Sequence, residues 1–181
     1  MHGAIFAELQ KFATSAFGAE VWRQVCDEAG VGPRVYLPVA TYPDEEAIAL
    51  VGAASELSGK PAAELLEAFG EYLVAPLLRT YGSLVRPEWR TLDLLEHTES
   101  TIHRIVRVRE PAAMPPELAC ERVSPDEVVI RYGSARRLCP LAIGLIRGVA
   151  KHYSEPIEIR ESACMTSGAP RCEIHARRAR R

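Results

Sequence analysis

The sequence predicts an α+β domain, a helical N-terminal lobe followed by a C-terminal lobe with a small antiparallel sheet and helices. Three observations predict it. Apolar residues recur at helical spacing through the first half of the chain, β-rich runs begin only after residue 116, and a strongly apolar helix separates the first pair of strands from the last. The 181 residues suit a single domain, with the N-terminal lobe over about residues 1–60 and the second lobe over about 61–181.

Each element has a local reason. Ile5, Leu9, Phe12, Ala13 and Phe17 form one helical stripe that Gly18 stops. Val21, Trp22, Val25 and Cys26 carry a second helix ending at Gly30, and residues 33–43 read as a loop. Pro43 suits the first position of a helix presenting Ile48, Leu50 and Val51 and ending near Gly59. Pro61 opens another, with Leu65, Leu66, Phe69, Tyr72, Leu73 and Leu77 on its apolar side. From Pro87 a long helix is expected through Trp89, Leu92, Leu95, Ile102 and Val106. The runs 117–123 and 128–132 are β-rich, with a hairpin turn at Ser124-Pro125-Asp126-Glu127. Residues 138–153 form the apolar helix, where Gly144 and Gly148 allow close backbone approach, and strands over about 156–163 and 171–176 follow.

Composition excludes several classes. Hydrophobic residues make up 48% and charged residues 25%, which is ordinary globular usage. A formal net charge of −2 gives no electrostatic case for nucleic acid or membrane. The exception is a basic end, Arg177, Arg178, Arg180 and Arg181, read as solvated or as a docking patch for an acidic surface. No apolar run is long enough to span a bilayer, and Glu8, Gln10 and Lys11 interrupt any signal-peptide core. A cytoplasmic location is expected, so the five cysteines read as ligands, redox sensors or core residues. There is no phosphate loop, nucleophile elbow or metalloprotease histidine pair, and the chain is expected not to be an enzyme.

Two groups of residues carry chemistry. His103 lies at the edge of an apolar face beside Ile102, Ile105 and Val106, and a neutral imidazole facing an apolar cavity suits an axial haem ligand. Tyr132, Ser134 and Arg136 alternate just after a strand, so an extended backbone would put two hydroxyls and a guanidinium on one side, a set able to clamp carboxylates.

On these residues the chain resembles the haem nitric oxide/oxygen binding (H-NOX) family. The Tyr132-x-Ser134-x-Arg136 pattern matches the family's propionate-binding motif, and His103 stands at the family's distance before it. Pro116 matches the proline that presses on the porphyrin, Met1-x-Gly3-x-Ile5 matches the family's start, and Phe69-Gly70-Glu71-Tyr72 looks like a further signature. The resemblance implies a haem b bound between the lobes, with His103 as axial ligand. His97, after Leu92-Asp93-Leu94-Leu95-Glu96, stays open as an alternative, although the spacing to Pro116 and Tyr132 favours His103. Ile5, Leu9 and Leu141 would line the distal pocket; where oxygen-binding relatives carry a tyrosine hydroxyl, this chain has Leu141. The resemblance therefore implies a sensor that binds nitric oxide and carbon monoxide, excludes oxygen, and signals through loss of the His103–iron bond. As no output domain is expected in the chain, the implied partner is a histidine kinase or a cyclic-di-nucleotide signalling enzyme.

Cys164 and Cys172 flank the turn between the last two strands, and Cys139 opens the preceding helix. The pattern resembles a bacterial subset of the family whose second lobe binds zinc through three cysteines and a histidine. At the histidine's position this chain has Glu161, so Glu161 or His175, or more distantly His152, would complete the set. A weak fourth ligand would leave the thiolates open to oxidation. The alternative to gas sensing is accordingly a zinc/thiol redox sensor, or a small-ligand regulatory module, on the same fold without haem.

Overall fold

Chain breaks fall where glycine and proline place them. The computed structural model describes residues 1–179; Arg180 and Arg181 of the expected basic tail lie outside the described residues. Helix α1 (Gly3–Phe17) stops at Gly18, and α2 (Ala19–Glu28) follows directly. Helix α3 (Asp44–Ser58) starts after Pro43, which caps it instead of lying within it. Its first turn carries Asp44, Glu45 and Glu46 against the positive end of the helix dipole. It ends at Gly59, whose φ of 67° is left-handed and suits glycine. Helix α4 (Ala62–Tyr81) is the longest and continues through Pro76.

The long helix expected from Pro87 is three pieces. After a turn come α5 (Thr91–His97), a π-helical segment (Thr98–His103) and α6 (Arg104–Arg109). The insertion of a wide turn re-aims every side chain beyond it, and such π segments recur at functional sites.

Strands β1 (Glu117–Ser124) and β2 (Glu127–Gly133) form the expected hairpin, α7 (Cys139–His152) crosses over, and β3 (Ile157–Ala163) and β4 (Cys172–Arg178) complete an antiparallel sheet of order β1-β2-β4-β3. Alternation sorts its faces. Val128, Ile130, Tyr132, Cys172, Ile174 and Ala176 are buried on the inner face with Trp89, Leu92 and Ile146. Outside, Arg131 reaches Glu121 (3.0 Å) and His175 reaches Glu127 (2.8 Å). A second core, built on Phe6, Trp22, Tyr36 and Leu50, fills the N-terminal lobe. Helices α4 and α7 pack most closely of all, with ion pairs Lys151–Glu71 (2.5 Å) and Arg147–Glu67 (3.2 Å) along their seam. Among the described residues no helix is long and apolar enough to cross a membrane.

Candidate functional site

The last residue of the π segment is His103, its side chain 16% exposed. Glu99, one turn earlier, lies 3.2 Å from its Nδ1. The same carboxylate accepts from Arg107 Nη1 (2.5 Å) and from the Leu118 backbone N–H (3.1 Å). Burial works against charge on Glu99, but Arg107, Leu118 and His103 outweigh it and hold its carboxyl below the usual range. An ionised carboxylate only accepts, so the proton of the His103 ring sits on Nδ1 and the lone pair on Nε2. Burial also pushes the His103 pKa down, against the pull of Glu99 and of the Pro116 carbonyl, and so favours the neutral imidazole. Pro116 belongs to the same network, its carbonyl accepting from Arg107 Nη2 (3.2 Å). His97, in contrast, stacks on Trp89 with ring centroids 4.8 Å apart and contacts the Asp93 carbonyl through Nδ1 (2.9 Å), so its ring is taken up against the sheet core.

Tyr132 is buried in β2 and its hydroxyl reaches Ser134. The expected straight alternation ends there: the strand stops at Gly133, residues 135 and 136 form a turn, and the Arg136 backbone N–H donates to Ser134 Oγ (3.2 Å). The turn carries the Arg136 guanidinium to the N-terminal lobe. Its Nη1 donates to the Met114 carbonyl (2.7 Å), and its Nε lies 2.9 Å from Asp44 Oδ1, which also lies 2.7 Å from the Met1 amino nitrogen. The alignment of the Arg136–Asp44 contact is poor, and both Arg136 Nε and Asp44 Oδ1 are buried without a hydrogen bond. A half-buried guanidinium that already faces one carboxylate without full satisfaction has further N–H donors with which to pair another.

Of the expected distal residues, Ile5 and Leu141 are half-buried yet belong to neither core. Leu9 packs with the N-terminal core and lines an apolar cavity of about 280 Å³ among α1, α2, α3 and α4. A mostly buried imidazole, a guanidinium beside two hydroxyl side chains, and half-buried Ile5 and Leu141 outside both cores are of the kinds that fit a haem with its propionates.

The second cluster lies at the same end of β2, where Cys172 pairs with Tyr132 across to β4. Cys172 Sγ is 3.0 Å from Cys139 Sγ and 3.9 Å from Cys164 Sγ, and the three sulfurs lie within 4.8 Å of one another. Burial raises the pKa of Cys139 and Cys172. Neither expected histidine reaches them. His175 is three residues from Cys172, hence on the opposite face of β4, where it contacts Glu127 and Ser162. His152 ends the helix that Cys139 begins, about 20 Å away at the usual helical rise. Glu161 is exposed on β3, near enough for its charge to act on Cys139.

Glu99 and Asp44 were not singled out from sequence. The signal for Glu99 was its place four residues before His103; Asp44 gave none beyond opening a helix.

Comparison with known proteins identifies the family of the chain. A family model described as Haem-NO-binding matches residues 2–161. Soluble guanylate cyclase 89Da of Drosophila melanogaster is 24% identical over 156 residues, and soluble guanylate cyclase gcy-35 of Caenorhabditis elegans 23% over 156. The match to the first covers 84% of this chain and 23% of that relative; for the second the figures are 83% and 23%, so the chain spans under a quarter of the curated relatives it matches. An H-NOX protein from Shewanella oneidensis in the Fe(II)NO ligation state superposes with a TM-score of 0.91 at 26% identity, covering 99% of this chain and 100% of that one. An unliganded Fe(II) H-NOX protein from K. algicida, at 22% identity, shares the fold with a TM-score of 0.87 over 100% and 98% of the two chains. Because the family model spans nearly the whole chain, this protein belongs to the Haem-NO-binding (H-NOX) family, a family of haem-based gas sensors.

Proposed function

We propose that the domain holds haem b between its lobes through His103 and Arg136 and senses nitric oxide and carbon monoxide while excluding oxygen. The observation that carries this reading is the His103 ring, whose Nδ1 is held by the Glu99 carboxylate, an arrangement that favours the tautomer with its lone pair on Nε2, the form a metal takes. When bound, haem would supply an iron able to take a diatomic gas, with His103 as the residue that would hold it. The protein does the rest. Arg136 with Ser134 and Tyr132 receives the propionates, Pro116 is fixed against α6 by Arg107, and Ile5 and Leu141 keep water from the gas side. Because α1 and α3 reach Arg136 through Met1 and Asp44, any change at that guanidinium is felt in the N-terminal lobe. That shift is the signal offered to a partner, a histidine kinase or a cyclic-di-nucleotide signalling enzyme. The test is an absorption spectrum of the reduced protein before and after nitric oxide. A Soret band that shifts supports the reading, and no Soret band after haem reconstitution sinks it.

The exclusion of oxygen rests on Leu141, which offers no proton to a bound ligand that accumulates negative charge. Leu141→Tyr places a donor there, and one hydrogen bond of about 1.4 kcal/mol corresponds to roughly tenfold in affinity. Dioxygen affinity, measured by stopped-flow binding and release, is expected to rise by that factor while nitric oxide binding changes little. Equal changes for both gases would argue against the assignment.

A second reading is favoured by the sulfur cluster. Tetrahedral zinc at a Zn–S distance of ~2.3 Å sets sulfurs about 3.8 Å apart; Cys164 and Cys172 already stand at 3.9 Å, whereas Cys139 and Cys172, at 3.0 Å, would move apart on binding. We infer that Cys139, Cys164 and Cys172 bind zinc, with Glu161 or water in the fourth position, and that this weak fourth ligand leaves the thiolates oxidisable. Elemental analysis is expected to find stoichiometric zinc in the wild type and none in Cys172→Ser. Zinc retained by that variant would remove the site.

A further inference from the structure

The proton of the His103 ring is fixed by a carboxylate, and that carboxylate is itself shared. Glu99 Oε2 accepts from His103 Nδ1 (3.2 Å), from the Leu118 N–H (3.1 Å) and from Arg107 Nη2 (3.3 Å), while Oε1 accepts from Arg107 Nη1 (2.5 Å). Four donated hydrogen bonds, two of them from a guanidinium, favour the ionised carboxylate. Its side chain is 30% exposed and that of His103 16%, so little water intervenes to weaken the contact.

A carboxylate behind an imidazole draws the Nδ1 proton towards itself and makes Nε2 the better donor to a metal. Arg107 works the other way. By pairing with Glu99 it takes up part of the negative charge and softens that push. We propose that Glu99 is the positioning residue of the axial ligand, fixing its tautomer and strengthening its bond to iron, and that Arg107 sets how far. The inference rests on the haem reading above. The pair also has a mechanical side: through Leu118 N–H and the Pro116 carbonyl, Glu99 and Arg107 tie the His103 ring to the segment that enters β1. A change in the tension on His103 is thus passed to Pro116 and the sheet by hydrogen bonds already in place.

A purely structural role for Glu99 would make both partners' variants act alike; a charge relay makes them opposite. The experiment is resonance Raman spectroscopy of the reduced, haem-loaded protein, reading the iron–histidine stretching band. Glu99→Gln, which keeps the shape and removes the charge, is expected to lower the frequency and speed haem loss to apomyoglobin on the order of tenfold. Arg107→Met is expected to raise the frequency, because Glu99 then bears its full charge. Shifts of the same sign, or no shift, overturn the proposal. Should Glu99→Gln fail to fold, the sign of the Arg107→Met shift decides alone. A wild type that takes up no haem removes the haem reading and this inference with it, whereas a normal Soret band with unmoved frequencies overturns the inference and leaves that reading intact.

Discussion

His103→Ala is expected to abolish axial ligation and to raise the haem dissociation rate by on the order of 100-fold, at or above the upper end of what loss of a supporting partner costs. Among the described residues His97 stacks on Trp89 and His175 lies on the outer face of the sheet, which leaves the His103 imidazole as the ring beside Pro116. The cavity left by the ring is the size of free imidazole, and its Nδ1 partner Glu99 remains. Added imidazole is therefore expected to restore the wild-type spectrum in His103→Ala. The restored bond is no longer tied to the chain, so gas binding should return without the movement of the N-terminal lobe. That movement can be followed by hydrogen exchange in α1 and α3. His97→Ala, in contrast, should keep a normal Soret band and lose only its packing on Trp89. A His97→Ala spectrum altered as strongly as that of His103→Ala would reverse the assignment.

The fold was legible where a single residue decides the outcome. Gly18, Gly59 and Pro43 end or begin helices because of their own backbone chemistry, and the strand alternation in β2 and β4 reports its buried face directly. The π segment was not legible. Leu92, Leu95, Ile102 and Val106 keep apolar positions at spacings a plain helix also allows, and one inserted residue does not disturb a pattern averaged over several turns. The candidate site divides similarly. Motif and spacing single out His103, Tyr132 and Pro116, but the straight alternation they imply for Arg136 ends at Gly133, where the chain turns. Asp44 meets Arg136 across the two lobes, and no local pattern encodes such a contact. The sulfur cluster shows both cases at once. The turn between Cys164 and Cys172 announces their convergence, whereas His175 could have been set aside by the odd offset that puts it on the other face of β4.

Gly144→Ala is expected to lower stability by about 3 kcal/mol or more, the upper range for overpacking, and the Tm by roughly 6–12 °C for a chain of this size. A Cβ at Gly144 would sit 2.1 Å from the Glu67 carbonyl oxygen and 2.8 Å from the Glu67 carbonyl carbon. These are backbone atoms inside α4 and cannot swing aside. The contact is reciprocal: a Cβ at Gly70 would meet the Leu141 carbonyl oxygen at 2.5 Å, and one at Gly148 would meet Val74 Cγ2 at 2.6 Å. Gly70 belongs to the Phe69-Gly70-Glu71-Tyr72 stretch, which gives that signature a physical cause, since α4 and α7 touch backbone to backbone. Parting them would strain the Lys151–Glu71 and Arg147–Glu67 pairs and shift Leu141, so the Gly144→Ala domain should also show altered nitric oxide kinetics. Gly52→Ala provides the contrast. It lies within α3 with nothing near the added methyl, and the gain in helix propensity should stabilise by about 0.5–1 kcal/mol. Thermal unfolding of the two variants side by side decides the matter. If Gly144→Ala unfolds no earlier than Gly52→Ala, the two helices have room to separate, and the tight seam is not what holds Leu141 in place.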